Sequence, residues 1–197
     1  MREEDNYYLF ERVELEVNDF ESEGYILDIC GGGEGVIGRL KGKDVVAIDF
    51  RKEELEEAVD GPLKIVMDAR DLQFLDSSFN TATAFFSLMY LKTQVDQQKV
   101  LEETWRVLKP GGYLHVWEID LSERPETDKE IYIVQLRYRV GEYEIGTGYG
   151  QRWPEETRSR KYYIELAEKA GFQHIQTEKV QHTFYLLFKK GIYSALG

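Results

Sequence analysis

Short apolar runs alternate with amphipathic segments through the first 120 residues of the chain. The apolar runs lie at 25–29, 45–49, 63–67, 81–86 and 113–119. Each run is short and continuous, as is typical of strands that are covered on both faces of a sheet. Amphipathic segments that predict helices lie between the runs, at 36–40, 52–58 and 97–108. This alternation predicts βαβ units and a mostly parallel sheet.

The last third of the chain follows a different pattern. From 131 to 140 the side chains alternate with a period of two, and a second alternating stretch runs from Gly141 to Tyr149. Two such stretches in succession predict a β-hairpin. The elements predicted after the hairpin are a helix at 158–170 and an antiparallel pair of strands at about 174–181 and 183–189.

These elements predict one α/β domain over residues 1–197. Its centre is a Rossmann-like, doubly wound, seven-stranded and mostly parallel sheet with an antiparallel terminal strand. The hairpin forms an insertion at 122–157, before the last helix. An N-terminal segment at 1–24 is predicted to be helical, because 7–20 mixes aromatic, aliphatic and acidic residues at roughly helical spacing.

Charge and cysteine content narrow the classes of function. The chain carries 25 Lys and Arg against 37 Asp and Glu, a net charge of −12, which disfavours a nucleic-acid partner. Its one cysteine, Cys30, cannot build a disulfide framework or a thiolate zinc site, and no metal is expected. No apolar run approaches the ~20 residues of a membrane span, and Met1–Asp5 lacks the apolar core of a signal peptide. We therefore expect a cytoplasmic protein, a monomer or a homodimer, without a membrane partner.

A glycine cluster at 31–35 follows the first predicted strand. In an open parallel sheet the ligand lies at the carboxyl ends of the strands, where glycines let the backbone approach it closely. Asp49 ends the second strand, 21 residues after Asp28, and is placed to accept hydrogen bonds from a ribose diol. Together these features predict a nucleoside-type cofactor.

Two classes of nucleoside cofactor fit this pattern. Gly33–Gly38 matches the G-x-G-x-x-G fingerprint of dinucleotide-binding loops, which favours NAD and an oxidoreductase. Asp28, however, places a carboxylate before the loop, where it would repel a pyrophosphate and attract a cationic sulfonium amino acid. The position of this acid favours the sulfonium nucleoside.

Five segments in series resemble the class I S-adenosylmethionine-dependent methyltransferases, particularly the small type-11-like members. They look like the cofactor loop (Ile26–Gly35), the strand with the ribose acid (Val45–Asp49), the adenine segment (Met67–Leu72), the fourth strand with its trailing loop (Phe79–Leu91) and the turn into the fifth strand (Arg106–Gly112). The segments span about residues 25–120 in the order that this family has.

The resemblance implies that the chain binds S-adenosylmethionine and releases S-adenosylhomocysteine. The residues that it assigns to this cofactor are Asp28, Cys30, Gly31, Gly32, Gly33, Asp49, Phe50, Asp68, Ala69 and Ser87. The backbone at 30–33 and at Ser87 would hold the methionine end, with Asp28 acting on its ammonium group.

The nucleoside end falls on two neighbouring strands. Asp49 would take the ribose hydroxyls, and Phe50 would lie against the adenine. Asp68 would accept a hydrogen bond from the adenine amino group, and the Ala69 N–H would donate to the ring.

The cofactor loop departs from the family's glycine pattern. The usual glycines stand two, four and six residues after the acid, and here those places hold Cys30, Gly32 and Glu34. The alternation continues one residue later, so the loop is expected to be one residue longer.

The sequence singles out no general base. Transfer of a sulfonium methyl group mainly requires alignment, so a base is needed only for a protonated, weakly acidic acceptor. The positioned candidates are Tyr90, after the fourth strand, and Glu118 and Asp120, at the end of the fifth. We expect in-line methyl transfer to a small-molecule acceptor. The alternatives are a protein or RNA methyltransferase and a non-catalytic protein that binds S-adenosylmethionine or S-adenosylhomocysteine.

The hairpin is the candidate for contacts with the acceptor. The stretch 122–161 has eight Lys and Arg and eight Asp and Glu, so it is neutral within an acidic chain, and it is rich in tyrosine. One interpretation is a lid over the acceptor pocket, with Tyr7, Tyr8 and Phe10 helping to exclude water. The other is a packed hairpin that covers the end of the sheet or forms a dimer contact.

Overall fold

The computed structural model describes residues 6–192, so the expectation drawn from Met1–Asp5 lies outside the described residues. The strands are β1 (Tyr7–Leu9), β2 (Val13–Val17), β3 (Ile26–Ile29), β4 (Val45–Asp49), β5 (Leu63–Val66), β6 (Phe79–Phe85), β7 (Leu108–Ile119), β8 (Ile131–Val140), β9 (Tyr143–Arg152), β10 (Phe172–Val180) and β11 (Thr183–Lys190). The helices are α1 (Val36–Lys41), α2 (Lys52–Glu57), α3 (Gln94–Val107) and α4 (Arg160–Lys169), with 3-10 turns at Gly42–Asp44 and Leu88–Tyr90. Within 6–192, none of the helices combines the length and the apolar character that crossing a membrane requires.

Seven strands form the central sheet, in the order β10-β11-β7-β6-β3-β4-β5. The neighbours from β7 to β5 are parallel, whereas β11 pairs antiparallel with both β7 and β10. The predicted α/β fold with a mostly parallel sheet is therefore confirmed. The chain runs outward from β3 to β4 and β5, then returns to β6 on the other side of β3. The strand order thus reverses at β3, and such a switch point opens a crevice at the carboxyl ends of the strands.

A second, smaller sheet is built around β8. β9 pairs antiparallel along the whole of β8, which gives the hairpin that the alternating pattern predicts. Because β9 occupies one edge of β8, the two N-terminal strands share the other edge. β1 and β2 lie there one after the other, both parallel to β8.

The prediction of a helix in the N-terminal segment is wrong. Residues 7–9 and 13–17 are strands instead. In the second strand Val13 and Val17 are buried, Leu15 is half-buried, and the two glutamates between them are exposed, which is the period of two of a strand. The spacing of acidic and apolar residues in this segment looks helical, but it is the alternation of a strand. The strand forms because β2 pairs with β8.

Each face of the central sheet carries its own hydrophobic core. One face packs against α3 and α4, through residues such as Leu101 and Leu166. The other packs against α1 and the inward face of β8, whose side chains at 132, 134, 136, 138 and 140 are each no more than 1% exposed. Burying one such aliphatic side chain contributes about 1.5–3 kcal/mol. β8 is therefore an integral wall of the core, and β9 is the outer strand of the hairpin.

Candidate active site

A cavity of about 510 Å³ lies at the carboxyl ends of β3, β4 and β6, where the strand order reverses. This volume is within the usual range for small-molecule sites. The ten residues expected to contact a cofactor all line it, namely Asp28, Cys30, Gly31, Gly32, Gly33, Asp49, Phe50, Asp68, Ala69 and Ser87. Their individual roles stay predictions, but the structure brings all of them together.

The glycines of the loop after β3 let the backbone form the floor of this cavity. A Cβ atom at Gly31 would lie 2.5 Å from Asp28 Oδ2, and one at Gly32 would lie 2.5 Å from the Cβ of Glu54. Gly33 has a φ of +59°, in the left-handed region. Each position therefore requires glycine for a steric or a conformational reason.

Two residues at the strand ends adopt the same left-handed backbone without being glycine. Cys30 follows β3 with a φ of +54°, and Phe86 follows β6 with a φ of +47°, and both line the cavity. Such strain costs of order 1–3 kcal/mol and concentrates at functional sites. Cys30 thus takes a glycine-like conformation at one place where the family usually has glycine. Burial raises the pKa of its thiol, so it stays protonated, which supports packing over a nucleophilic role.

Asp28, at β3, contributes a buried carboxyl group to the lining of the cavity. Its Oδ1 accepts a hydrogen bond of 2.7 Å from the Thr83 hydroxyl. Burial raises the pKa of Asp28 to about 7, and the nearby charge of Asp49 adds to this effect. A cation bound beside Asp28 would favour its ionised form. The group is therefore suited to a ligand with an ammonium or sulfonium centre.

Asp49 and Asp68 stand at the ends of β4 and β5 in different surroundings. Asp49 accepts the Arg51 N–H at 2.8 Å, and partial burial raises its pKa. Asp68 is paired with the Arg70 guanidinium at 2.7 Å, and this contact lowers the pKa of Asp68. Phe50 also lines the cavity and is 71% exposed. Its ring is therefore available to stack against a flat ligand.

Ser87 supplies an orphaned hydroxyl group. Its Oγ is buried without a hydrogen-bond partner in the part of the chain that the structure describes. Its carbonyl oxygen accepts the Tyr90 N–H at 3.2 Å, in the 3-10 turn that follows β6. Because buried hydroxyls are nearly always hydrogen-bonded, a bound ligand is a suitable partner for this one.

The structure separates the three candidates for a general base. Tyr90 lines the cavity, but Glu118 and Asp120 are not among the described residues that line it. Glu118 is fully buried and accepts the Met89 N–H at 3.0 Å, and burial raises its pKa to about 8. Asp120 is paired with Arg160 at 3.1 Å. Both acids are thus engaged in contacts with other parts of the chain, and their role as bases stays a prediction.

Several cavity residues were not anticipated from the sequence. Glu34 extends from the glycine loop to the hairpin, where its carboxylate accepts hydrogen bonds from the hydroxyls of Thr147 and Tyr149. The Tyr149 ring stacks on Phe86, with 5.4 Å between ring centroids and 19° between ring planes. The one sequence signal for this role of Glu34 is that it stands at a place where the glycine pattern of the loop expects glycine. No local pattern shows which tyrosine of β9 reaches the cavity.

The charges around the cavity favour a cation. Among the described residues that line it, six are acids (Asp28, Glu34, Asp49, Glu54, Asp68 and Asp96) and three are bases (Arg51, Arg70 and Lys92). Arg51 and Arg70 are themselves paired with acids of this set. A pyrophosphate would meet excess negative charge, whereas a sulfonium nucleoside with an ammonium group would be stabilised. The excess of acidic side chains and the unpartnered Ser87 hydroxyl therefore fit S-adenosylmethionine.

The sequence model of a family described as a methyltransferase domain matches residues 27–116. A demethylmenaquinone methyltransferase of Clavibacter sepedonicus is 37% identical over 167 residues, covering 76% of this chain and 66% of that protein. A sterol 4-C-methyltransferase of Caenorhabditis elegans is 26% identical over 162 residues, covering 81% of this chain and 46% of that protein. The chain thus spans less than two thirds of the length of either relative.

A solved structure gives the same fold. An S-adenosylmethionine-dependent methyltransferase from Methanosarcina mazei superposes with a TM-score of 0.64 at 20% identity, covering 88% of this chain and 95% of that chain. The family and the fold imply S-adenosylmethionine as the cofactor. This agrees with the charge of the cavity and not with the dinucleotide alternative.

Proposed function

We propose that this chain, which matches the methyltransferase-domain family over residues 27–116, transfers a methyl group from S-adenosylmethionine, the donor, to a small-molecule acceptor. One observation carries the proposal. The glycine loop after β3 and the hairpin residue Tyr149 face the same cavity of about 510 Å³, so we place the donor and a small acceptor side by side in it. A protein or RNA acceptor would need an open, extended surface, and RNA would also meet the chain's net charge of −12.

The donor is held at its two ends by different groups. The backbone at 30–33, the Asp28 carboxylate and Ser87 would bind the methionine end. Asp49 binds the ribose, Phe50 covers the adenine face, and the segment Asp68–Ala69 pairs with the adenine edge. When bound, S-adenosylmethionine supplies an electrophilic methyl carbon with a good leaving group.

The chain's own contribution is alignment and exclusion of water. Phe86 and Tyr149, whose rings stack on each other, form an apolar wall of the cavity, and Leu91 also lines it. Such a wall holds the acceptor in contact with the donor and keeps water out. It suits a small acceptor with an apolar body, which is also what the names of the quinone and sterol relatives describe for those proteins.

Tyr90 orients the acceptor rather than deprotonating it. Burial and the nearby charge of Glu118 raise the pKa of Tyr90 to about 12, so its hydroxyl stays protonated near neutral pH. A protonated phenol can donate a hydrogen bond to the acceptor but cannot act as a base. Tyr90 thus supplies no base, and the proposal favours an acceptor that reaches the site already nucleophilic.

Incubation of the purified chain with methyl-labelled S-adenosylmethionine and an extract of its source organism tests the proposal. We expect label in the low-molecular-mass fraction. Label in protein or RNA would contradict the small-molecule acceptor. No transfer, despite binding of S-adenosylhomocysteine in calorimetry, would identify a non-catalytic binding protein instead.

A further inference from the structure

One carboxylate connects the cofactor loop with the hairpin. Glu34 lies between Gly33 and Gly35, both of which have positive φ, and its side chain reaches across to β9. Its Oε2 accepts the Tyr149 hydroxyl at 3.0 Å, and its Oε1 accepts the Thr147 hydroxyl. Residues two apart on a strand point to the same side, so Thr147 and Tyr149 present both donors together.

Tyr149 is held at its hydroxyl and on one face of its ring. Its ring stacks on Phe86 at 5.4 Å, while its hydroxyl is fixed by Glu34. Phe86 is itself anchored, because its N–H donates to the Trp117 carbonyl oxygen at 2.8 Å and its side chain is 1% exposed. Tyr149 is therefore a fixed part of the cavity wall, although it lies on the outer strand of the hairpin.

We propose that Glu34 is a positioning residue that sets the acceptor wall by holding Tyr149 against Phe86. The inference rests on the proposed function and deepens it. The loop that meets the donor and the ring that meets the acceptor are joined through one side chain. Through this contact we expect donor binding at the loop to stabilise β9 further, and we expect the side chain at 149 to influence which acceptors fit.

Hydrogen–deuterium exchange of residues 143–152, with and without S-adenosylhomocysteine, tests this coupling. In the wild-type chain, saturating S-adenosylhomocysteine slows exchange in this segment. Glu34→Ala removes the acceptor of two hydrogen bonds, so its β9 amides exchange roughly tenfold faster and lose most of the ligand's protection. Tyr149→Phe keeps the ring and removes only the hydroxyl, and it shows the same change in smaller measure.

Glu57→Ala is the matched control, because Glu57 is an exposed carboxylate on α2 that is not among the described residues lining the cavity. We expect its β9 exchange to equal that of the wild type. Glu34→Gln keeps one accepting oxygen and restores part of the protection that Glu34→Ala loses. This partial rescue is not expected if Glu34 only packs.

The failures are distinguishable. If the wild-type chain binds S-adenosylhomocysteine but β9 exchanges equally in the wild type, Glu34→Ala and Tyr149→Phe, the coupling is refuted and the proposed function stands. If the wild-type chain does not bind S-adenosylhomocysteine at all, the proposed function is refuted, and the coupling with it.

Discussion

The two sides of the cavity are built in different ways. The donor side consists of loops that follow β3, β4, β5 and β6, so consecutive segments of the chain supply it and one family model spans it. The acceptor side depends on the hairpin, which joins the cavity through contacts such as Glu34 with Tyr149, 115 residues apart in sequence. The residues expected to bind the cofactor therefore lie in segments with local sequence signals. The acceptor wall instead depends on contacts between residues that are far apart in the sequence.

The largest expected effect tests whether the hairpin is core or a detachable lid. Leu136 on β8 is 1% exposed and packs in the core on the α1 face, so Leu136→Ala should lower the free energy of unfolding by about 2–5 kcal/mol. Urea denaturation measures this loss. Arg137→Ala changes the next residue, which faces outward, and should cost less than about 1 kcal/mol. Equal, small losses in both variants would mean that the hairpin is a separable lid.

The second prediction weakens the donor side alone. Asp49→Ala should weaken binding of S-adenosylhomocysteine by about 1–3 kcal/mol, because the ribose hydroxyls lose a half-buried hydrogen-bond acceptor. Isothermal titration calorimetry gives the dissociation constant, with Asp60→Ala, an exposed acid outside the cavity, as the control. An unchanged dissociation constant for Asp49→Ala would show that the ribose lies elsewhere.

The third prediction is a pH dependence that belongs to the donor side. The pKa of Asp28 is about 7 in the free chain, and a bound ammonium group lowers it, so binding releases a proton. The ionised fraction of Asp28 grows as pH rises through 7, and affinity for S-adenosylhomocysteine should improve about tenfold from pH 6 to pH 8. Asp28→Asn removes this dependence. A wild-type affinity that stays flat or falls over this range would contradict the role given to Asp28.

The smallest change in donor binding is expected for Glu118→Gln, because Glu118 lies outside the cavity. The dissociation constant for S-adenosylhomocysteine should stay within about twofold. Stability should respond differently. The folded chain holds the Glu118 proton up to a pKa of about 8, whereas the unfolded chain releases it near 4.5, so the stability of the wild type falls as pH rises between these values.

Glu118→Gln removes that slope. Its stability relative to the wild type should therefore increase from pH 5 to pH 8, as thermal unfolding at each pH would show. A difference that is constant across this range would mean that Glu118 is already ionised in the folded chain.

Much of the donor side could be predicted from the sequence because its signals are local. The apolar runs at 25–29 and 45–49 predict the strands β3 and β4, glycines mark the close turn, and Asp49 ends its strand. Strand ends of a parallel sheet meet at one edge, so the ten predicted residues had to converge once the sheet formed.

The features that the sequence did not reveal depend on partners far away in the sequence or on the direction in which a side chain points. Val13 and Val17 form a strand only because β8 offers an edge, and the local mixture of residues looks helical. Glu118 lies at the end of β7 and Asp120 follows it, but the sequence does not reveal that Glu118 accepts the Met89 N–H and that Asp120 pairs with Arg160. Long-range contacts select among side-chain directions that the local pattern leaves open.

Calorimetry of the purified chain with S-adenosylhomocysteine and with NAD tests the central claim most directly, namely that the crevice at β3 holds a sulfur nucleoside. We predict saturable binding of S-adenosylhomocysteine at one site per chain, weakened by Asp49→Ala, and no heat of binding with NAD. Binding of NAD that Asp49→Ala weakens, or no binding of S-adenosylhomocysteine, would contradict the account.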